Sequence, residues 1–334
     1  MKTVGVVIPF YQRETELVLK ALGSIASQEL PPETSVRIFI VDDESPVPLA
    51  VALALLPPDY PHPITAITQE NGGPGAARNR GLEAAQEHEV DYIAFLDSDD
   101  FWYPGHLLSA LSMLDEGSTF YFSNTLDDPF DWFHYTKYAA RHHTRTEDGY
   151  LPLERVVPAY EFLLALFQEN VTQTSQVVYD FRRHANVRFD PAYRNAGEDH
   201  AFWIDLTKQA ERVAYSTLIY GARGHGVSMY RSTLSWDVEV AANRLVDQMT
   251  FWKRSLDRFG KGREGRDILK SSLTLREKAV LFIAARGSVR APLQSLKFLA
   301  RALQANPGMA LRCPQLLLAM PSYYRDLKAG RVVI

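Results

Sequence analysis

Asp91-Tyr92-Ile93-Ala94-Phe95-Leu96-Asp97-Ser98-Asp99-Asp100 joins an apolar run to a cluster of acids. Tyr92 to Leu96 is aromatic and aliphatic without alternation, the pattern of a short strand buried on both faces. Three carboxylates within four residues then end it. Like charges so close repel one another and cannot enter an apolar core unpaired. A divalent cation is the simplest counter-charge. Carboxylate oxygens suit Mg or Mn, and Mg keeps only one or two protein carboxylates beside substrate phosphates. Asp97 and Asp99 are two apart, so in an extended segment they share a side. A solvated acidic turn would look the same locally; the buried strand before it and the motifs around it favour a site.

Upstream, strands and helices alternate. Strands are expected over 4–9, 36–41 and 64–68, and helices over 14–27, 49–56 and 76–88. Downstream, a helix over about 104–114 precedes a strand over 120–123. The order predicts an α/β fold with a mostly parallel, doubly wound sheet, which binds ligands outside the carboxyl ends of its strands. Three of the first four strands end there in polar punctuation: Pro9-Phe10-Tyr11, Asp42-Asp43 and Asp97-Ser98-Asp99. Their common placement argues for one site.

Asn71-Gly72-Gly73-Pro74-Gly75 leads into a helix carrying Arg78 and Arg80. Glycines there allow close backbone approach, and a helix N-terminus favours an anion. Arg78 suits a diphosphate or carboxylate, or else a solvated helix face. No Gly-x-Gly-x-x-Gly follows the first strand, which argues against a dinucleotide. Residues 125–160 read as an irregular insertion or hairpin forming an acceptor-side wall, and 171–179 as a loop and an edge strand. Gly197-Glu198-Asp199 opens a helix; the acids either cap it or present a general base. After a strand over 213–219, His225 sits among glycines in a tight loop, a candidate metal ligand.

The 334 residues allow one large domain and a smaller appendage. The single Cys313 excludes an internal disulfide and fits a reducing compartment. No signal peptide or spanning segment is expected. The net charge of −4 hides an asymmetry: residues 253–334 hold 17 Lys and Arg against 5 Asp and Glu, while 1–252 hold 19 against 35. A basic tail on an acidic body suggests an anionic surface. Residues 255–270 read as a linker or loop. Helices over 275–286 and 292–303 follow, the second with a stripe of Leu296, Leu299, Ala300 and Leu303. They form either a hairpin packed on the body or an interfacial anchor.

Taken in order, 7–11, 41–45, 71–81, 96–100 and 197–199 resemble the motifs of the inverting glycosyltransferases of family 2, over about residues 1–230. The resemblance implies the GT-A fold, a Rossmann-like doubly wound mixed sheet, with a nucleotide-binding half (1–124), an acceptor half (125–230) and a C-terminal helical extension (231–334). It implies a UDP- or dTDP-linked sugar donor and a Mg or Mn ion. Pro9, Phe10, Tyr11 and Asp43 would hold base and ribose. Arg13, Gly73 and Arg78 would lie near base or diphosphate, and Asp97 and Ser98 near ribose or sugar. Asp99 and His225 would bind the metal, and Asp199, beside Glu198, would be the base. Glu44 departs from the family's usual glycine, and the Gln-x-x-Arg-Trp motif of processive synthases is absent. Transfer of one sugar to a glycan or lipid-linked acceptor is expected, with no nucleic-acid partner, in the cytoplasm or on the inner membrane face. The alternatives are a sugar nucleotidyltransferase, which should carry a Gly-rich, Lys-bearing loop after the first strand, and a silent relative serving as a scaffold.

Overall fold

The first strand, β1 (Lys2–Phe10), pairs in parallel with β2 (Thr34–Asp42) on one side and β4 (Tyr92–Phe95) on the other. β3 (Ile64–Thr68) extends the sheet beyond β2, also in parallel. The crossovers are α1 (Glu16–Ala26), the short α2 (Leu49–Leu53) and α3 (Pro74–Glu87). Register sets Phe10 against Asp42 and Val7 against Phe95, so the three polar strand ends reach one edge. These features come from a computed structural model that describes residues 1–126, 154–194, 196–226, 238–260 and 262–329. Most of the expected acceptor wall (127–153) and the end of the His225 loop (227–228) lie outside the described residues.

Beyond β4 the sheet becomes mixed. In order come β8 (Val177–Asp180), β6 (Phe120–Leu126), β9 (Arg212–Ala222) and β5 (Phe101–Trp102), with β7 (Glu154–Pro158) also on β9. β8 is antiparallel to both neighbours, whereas β6 and β9 run parallel. The expected edge strand at 177–178 is therefore an interior one. Its four residues are all buried, as a strand covered on both faces requires. The Thr-Gln-Thr-Ser before it suggested exposure, yet those residues are buried too.

The core explains the order. Val6, Ile8 and Phe10, Ile38 and Ile40, and Ala94 and Leu96 pack in one cluster with Val18, Ala21, Leu22 and Ile25 of α1. Val18, Ala21, Leu22 and Ile25 recur at helical spacing, so α1 presents a single apolar stripe. α4 (His106–Asp115), α5 (Ala159–Leu166), α6 (Phe181–His184) and α7 (Glu198–Lys208) complete the α/β elements.

The chain separates into two compact units: 1–166, 170–191 and 199–227 in the first, and 167–169, 192–198 and 228–334 in the second. The second contains α8 (Val238–Phe259), α9 (Arg263–Gly287), α10 (Pro292–Ala305), α11 (Gly308–Leu318) and α12 (Met320–Lys328). The expected linker over 255–270 is instead the end of α8 and the start of α9, with 260–262 between them. Three glycines in six residues looked like a break, but the charged residues among them are good helix formers. Gly260 closes α8 through its N–H to the Leu256 carbonyl at 2.9 Å, and Gly262 precedes α9. In α10 the buried residues are Ser295, Phe298 and Ala302. The stripe read from sequence is largely the outward one: Leu296 is 65 % exposed. Among the described residues no helix is long and apolar enough to cross a membrane.

Candidate active site

The end of β2 builds one wall. The Asp42 carboxylate accepts the backbone N–H groups of Ser45 at 2.8 Å and Leu49 at 2.9 Å, fixing the turn into α2. The buried Asp43 carboxylate accepts the N–H groups of Gly72 and Gly73 and the Gln69 side-chain amide, each at 2.8 Å. Asp43 therefore staples the 69–73 loop to β2, and Gly73, at φ +86°, turns the chain into α3 in a conformation that favours glycine. The Phe10 ring is buried in the core; its carbonyl accepts the Asp43 N–H at 3.0 Å. Tyr11 and Arg13 are exposed beside it, and Pro9 is half-buried. Glu44 has φ +59°, which accounts for glycine being the usual residue in a loop of this shape.

The centre is the turn after β4. The Asp97 carboxylate pairs with the Arg78 guanidinium at 2.7 Å, and Arg78 is almost wholly buried while Asp97 is a third exposed. Buried Ser98 accepts the Gln12 side-chain amide at 3.0 Å. Asp99 accepts the Gly226 N–H at 3.1 Å. Burial first, then the Asp97 charge, pushes the Asp99 carboxyl above the ordinary range; backbone N–H groups and Arg223 oppose this. Asp100 is buried and accepts from Ser175 Oγ at 2.6 Å, Gln173 Nε2 at 2.9 Å and Gly224 N at 3.1 Å. Burial, reinforced by Asp99 and Asp97, still holds its carboxyl well above the usual range.

The loop carrying His225 crosses this turn closely. A Cβ on Gly224 would overlap the Asp99 carbonyl, and one on Gly226 the Asp99 side chain. His225 itself is exposed. Among the described residues no three metal-ligating side chains gather at one point. A lone carboxylate such as that of Asp99 is of the type bound by Mg and Mn, which take one or two protein ligands and fill the shell from water and substrate phosphate.

Asp199 lies at the second position of α7, after Gly197 at φ +93° and Glu198, which is half-buried. Its Oδ2 accepts the Asn170 amide at 2.9 Å and its Oδ1 the His200 N–H at 2.7 Å. Burial raises its pKa; Arg78 first, then these two donors, pull it back, and Asp97 adds to the rise. Arg78 therefore acts electrostatically on Asp97 and Asp199 together. The sequence reading gave Asp100 no partner and missed Asn170, Gln173 and Ser175. The available signal was a polar run beside an apolar strand, Thr172 to Gln176, every residue of which is buried. It also missed Asn79, whose side chain exchanges two 2.8 Å hydrogen bonds with the Phe189 backbone.

This geometry agrees with what the chain is similar to. Residues 5–186 match the family model described as Glycosyl transferase family 2. The succinoglycan biosynthesis protein ExoW of Rhizobium meliloti is 30 % identical over 315 residues, covering 92 % of this chain and 96 % of that protein. The solved structure of S. aureus TarS 1–349 superposes with a TM-score of 0.62 at 16 % identity, over 99 % of this chain and 92 % of that one. A mannosyltransferase from Pyrobaculum calidifontis, solved with GDP-Man and Mn2+, gives 0.55 at 16 % identity, over 96 % and 84 %. The family model matches more than half of the chain and a relative 30 % identical aligns almost end to end, so this chain is a glycosyltransferase and belongs to glycosyl transferase family 2.

Proposed function

We propose that the protein transfers one sugar from a UDP- or dTDP-linked donor to a hydroxyl of a glycan or lipid-linked acceptor, with inversion, in the synthesis of a cell-surface polysaccharide. The observation that carries this reading is Arg78, paired with Asp97 and acting on Asp199. One buried cation between two acids suits a site that gathers anionic donor and acceptor base together. TarS has also been solved with UDP-GlcNAc, which supports a uridine donor.

In this reading Pro9, Tyr11, Arg13 and Asp43 border the nucleoside, with Phe10 contributing through its backbone. Gly73 and Arg78 lie toward the diphosphate, and Asp97, Ser98 and Glu198 toward the sugar. A bound Mg or Mn ion, held by Asp99 and His225, would offset the charge of the departing diphosphate. Asp199 takes the proton of the acceptor hydroxyl as its oxygen attacks the anomeric carbon from the face opposite the diphosphate. One displacement of this kind inverts the centre and needs no covalent sugar–enzyme intermediate.

The C-terminal helices are read as facing a membrane surface on the cytoplasmic face. Over 286–329 there are seven Lys and Arg against one acid. Leu293, Leu296, Leu311 and Leu318 there are 60 %, 65 %, 87 % and 83 % exposed. Cationic helices with outward leucines suit an anionic interface.

Calorimetric titration of UDP, dTDP and GDP, with and without Mn, tests the donor reading. Mn-dependent binding of UDP or dTDP is expected. Binding of GDP alone would overturn the uridine or thymidine donor, and binding indifferent to Mn would overturn the metal role of Asp99 and His225.

A further inference from the structure

Residues 170–175 join the two halves of the site through a half-buried Asn170 and the buried side chains of 172–175. At one end, Ser175 Oγ donates to Asp100 Oδ2 at 2.6 Å and accepts the Asp97 N–H at 3.0 Å. The Ser175 carbonyl accepts the Trp102 indole N–H at 2.5 Å, and Gln173 Nε2 donates to Asp100 at 2.9 Å. At the other end, Asn170 Nδ2 meets Asp199 Oδ2 at 2.9 Å. The orientation of that amide is determined chemically. Asn170 Oδ1 lies 3.3 Å from the Thr172 backbone nitrogen, which can only donate, so the NH2 group is the one that faces Asp199. Thr172, Gln173, Thr174 and Ser175 are all buried, and a turn of 3-10 helix begins at Thr174, so the span is short and anchored.

We propose that 170–175 is a positioning bridge: Ser175 and Gln173 seat the acids at the end of β4, and Asn170 orients Asp199 and keeps it in its proton-accepting form. This rests on the reading of Asp199 as the base. The physical basis is that an N–H donor to a carboxylate favours its ionised state, the state a base requires. Among the described residues, the other charged groups acting on Asp199 are Arg78 from α3 and Asp97 from the end of β4. On its own helix, His200 turns its Nε2 to the Leu166 carbonyl at 2.6 Å.

The test uses the full chain with aspartate carboxyl carbons labelled, titrated by nuclear magnetic resonance from pH 3 to 9, with Asp199→Asn assigning the resonance. Asn170→Ala is expected to move the Asp199 midpoint upward by about one pH unit, the worth of a charge-assisted hydrogen bond. Asn170→Asp, which keeps the shape and adds a like charge, should move it further. Ser175→Ala should leave the Asp199 midpoint in place and instead weaken Mn-dependent UDP binding. An Asp199 midpoint unmoved in both Asn170 variants overturns the inference, as does an equal shift in Ser175→Ala. Release of UDP from UDP-N-acetylglucosamine, followed over the same pH range, separates this from the reading beneath it. Should Asp199→Asn release UDP at the unaltered rate, the base assignment falls whatever Asn170 does.

Discussion

Glu44 and Asp199 show how one side chain can be read twice. Glu44 looked like a departure from a motif; its φ of +59° shows the physical cost, because a side chain with a Cβ is strained there by about 1–2 kcal/mol. Its carboxylate offsets part of this by accepting the Asn71 N–H at 3.3 Å. Glu44→Gly is therefore expected to stabilise the protein by up to about 1 kcal/mol, read as a higher midpoint in urea; a lower midpoint would show that the Asn71 contact outweighs the strain. For Asp199 the sequence left capping and catalysis open. The structure supplies the Asn170 amide and the Arg78 charge, neither of which a capping residue needs. Asp199→Asn should keep UDP affinity and lose a hundredfold to ten-thousandfold in transfer rate. Normal turnover in a sugar-transfer assay would move the base elsewhere.

The loop over 223–226 was legible as an ordered turn, because small residues flank His225. What it packs against was not. Gly224 N–H reaches Asp100, Gly226 N–H reaches Asp99, and neither glycine has room for a Cβ. Gly224→Ala should displace the loop at a cost of about 1–3 kcal/mol and weaken Mn-dependent nucleotide binding roughly tenfold or more. Calorimetry on a variant with normal circular dichroism checks this; unchanged affinity would detach His225 from the metal. β8 teaches the same lesson. Val177-Val178-Tyr179 is as apolar as Tyr92 to Leu96, but polar residues before it disguised an interior strand, and two of those, Gln173 and Ser175, are buried against Asp100. In α9, Glu277 is wholly buried and accepts from Asn306 Nδ2 and from Arg312, tying α9 to α11 through a pair that no periodicity reveals.

For the protein as a whole, the buried acids give stability a sign in pH. Asp99, Asp100, Asp199 and Glu277 are all raised in the folded state, chiefly by burial. Such groups hold protons that the unfolded chain has already released, so stability falls as pH rises from the unfolded carboxylate pKa through the folded one. In EDTA the melting temperature should fall as pH rises above the unfolded carboxylate pKa, and Asp100→Asn should flatten that slope. An opposite slope would mean the pairs with Arg78 and Arg312 dominate burial. At the C-terminal helices, Leu311→Ser with Leu318→Ser should reduce sedimentation with phosphatidylglycerol vesicles several-fold, and Lys297→Glu should add to the loss. Equal sedimentation would assign those leucines another partner.

Chain order alone carried the alternation of strands and helices, the shared edge for the polar strand ends, and the acids themselves. These follow from periodicity and from the impossibility of burying clustered like charges without a partner, both local properties. Partnerships between distant segments were closed to it. Arg78 with Asp97, Asn170 with Asp199, and Ser175 with Asp100 join residues 19, 29 and 75 positions apart. Hydrogen-bond geometry forms across space, and nothing in the local pattern of a polar residue says whether water or a buried carboxylate will be its partner.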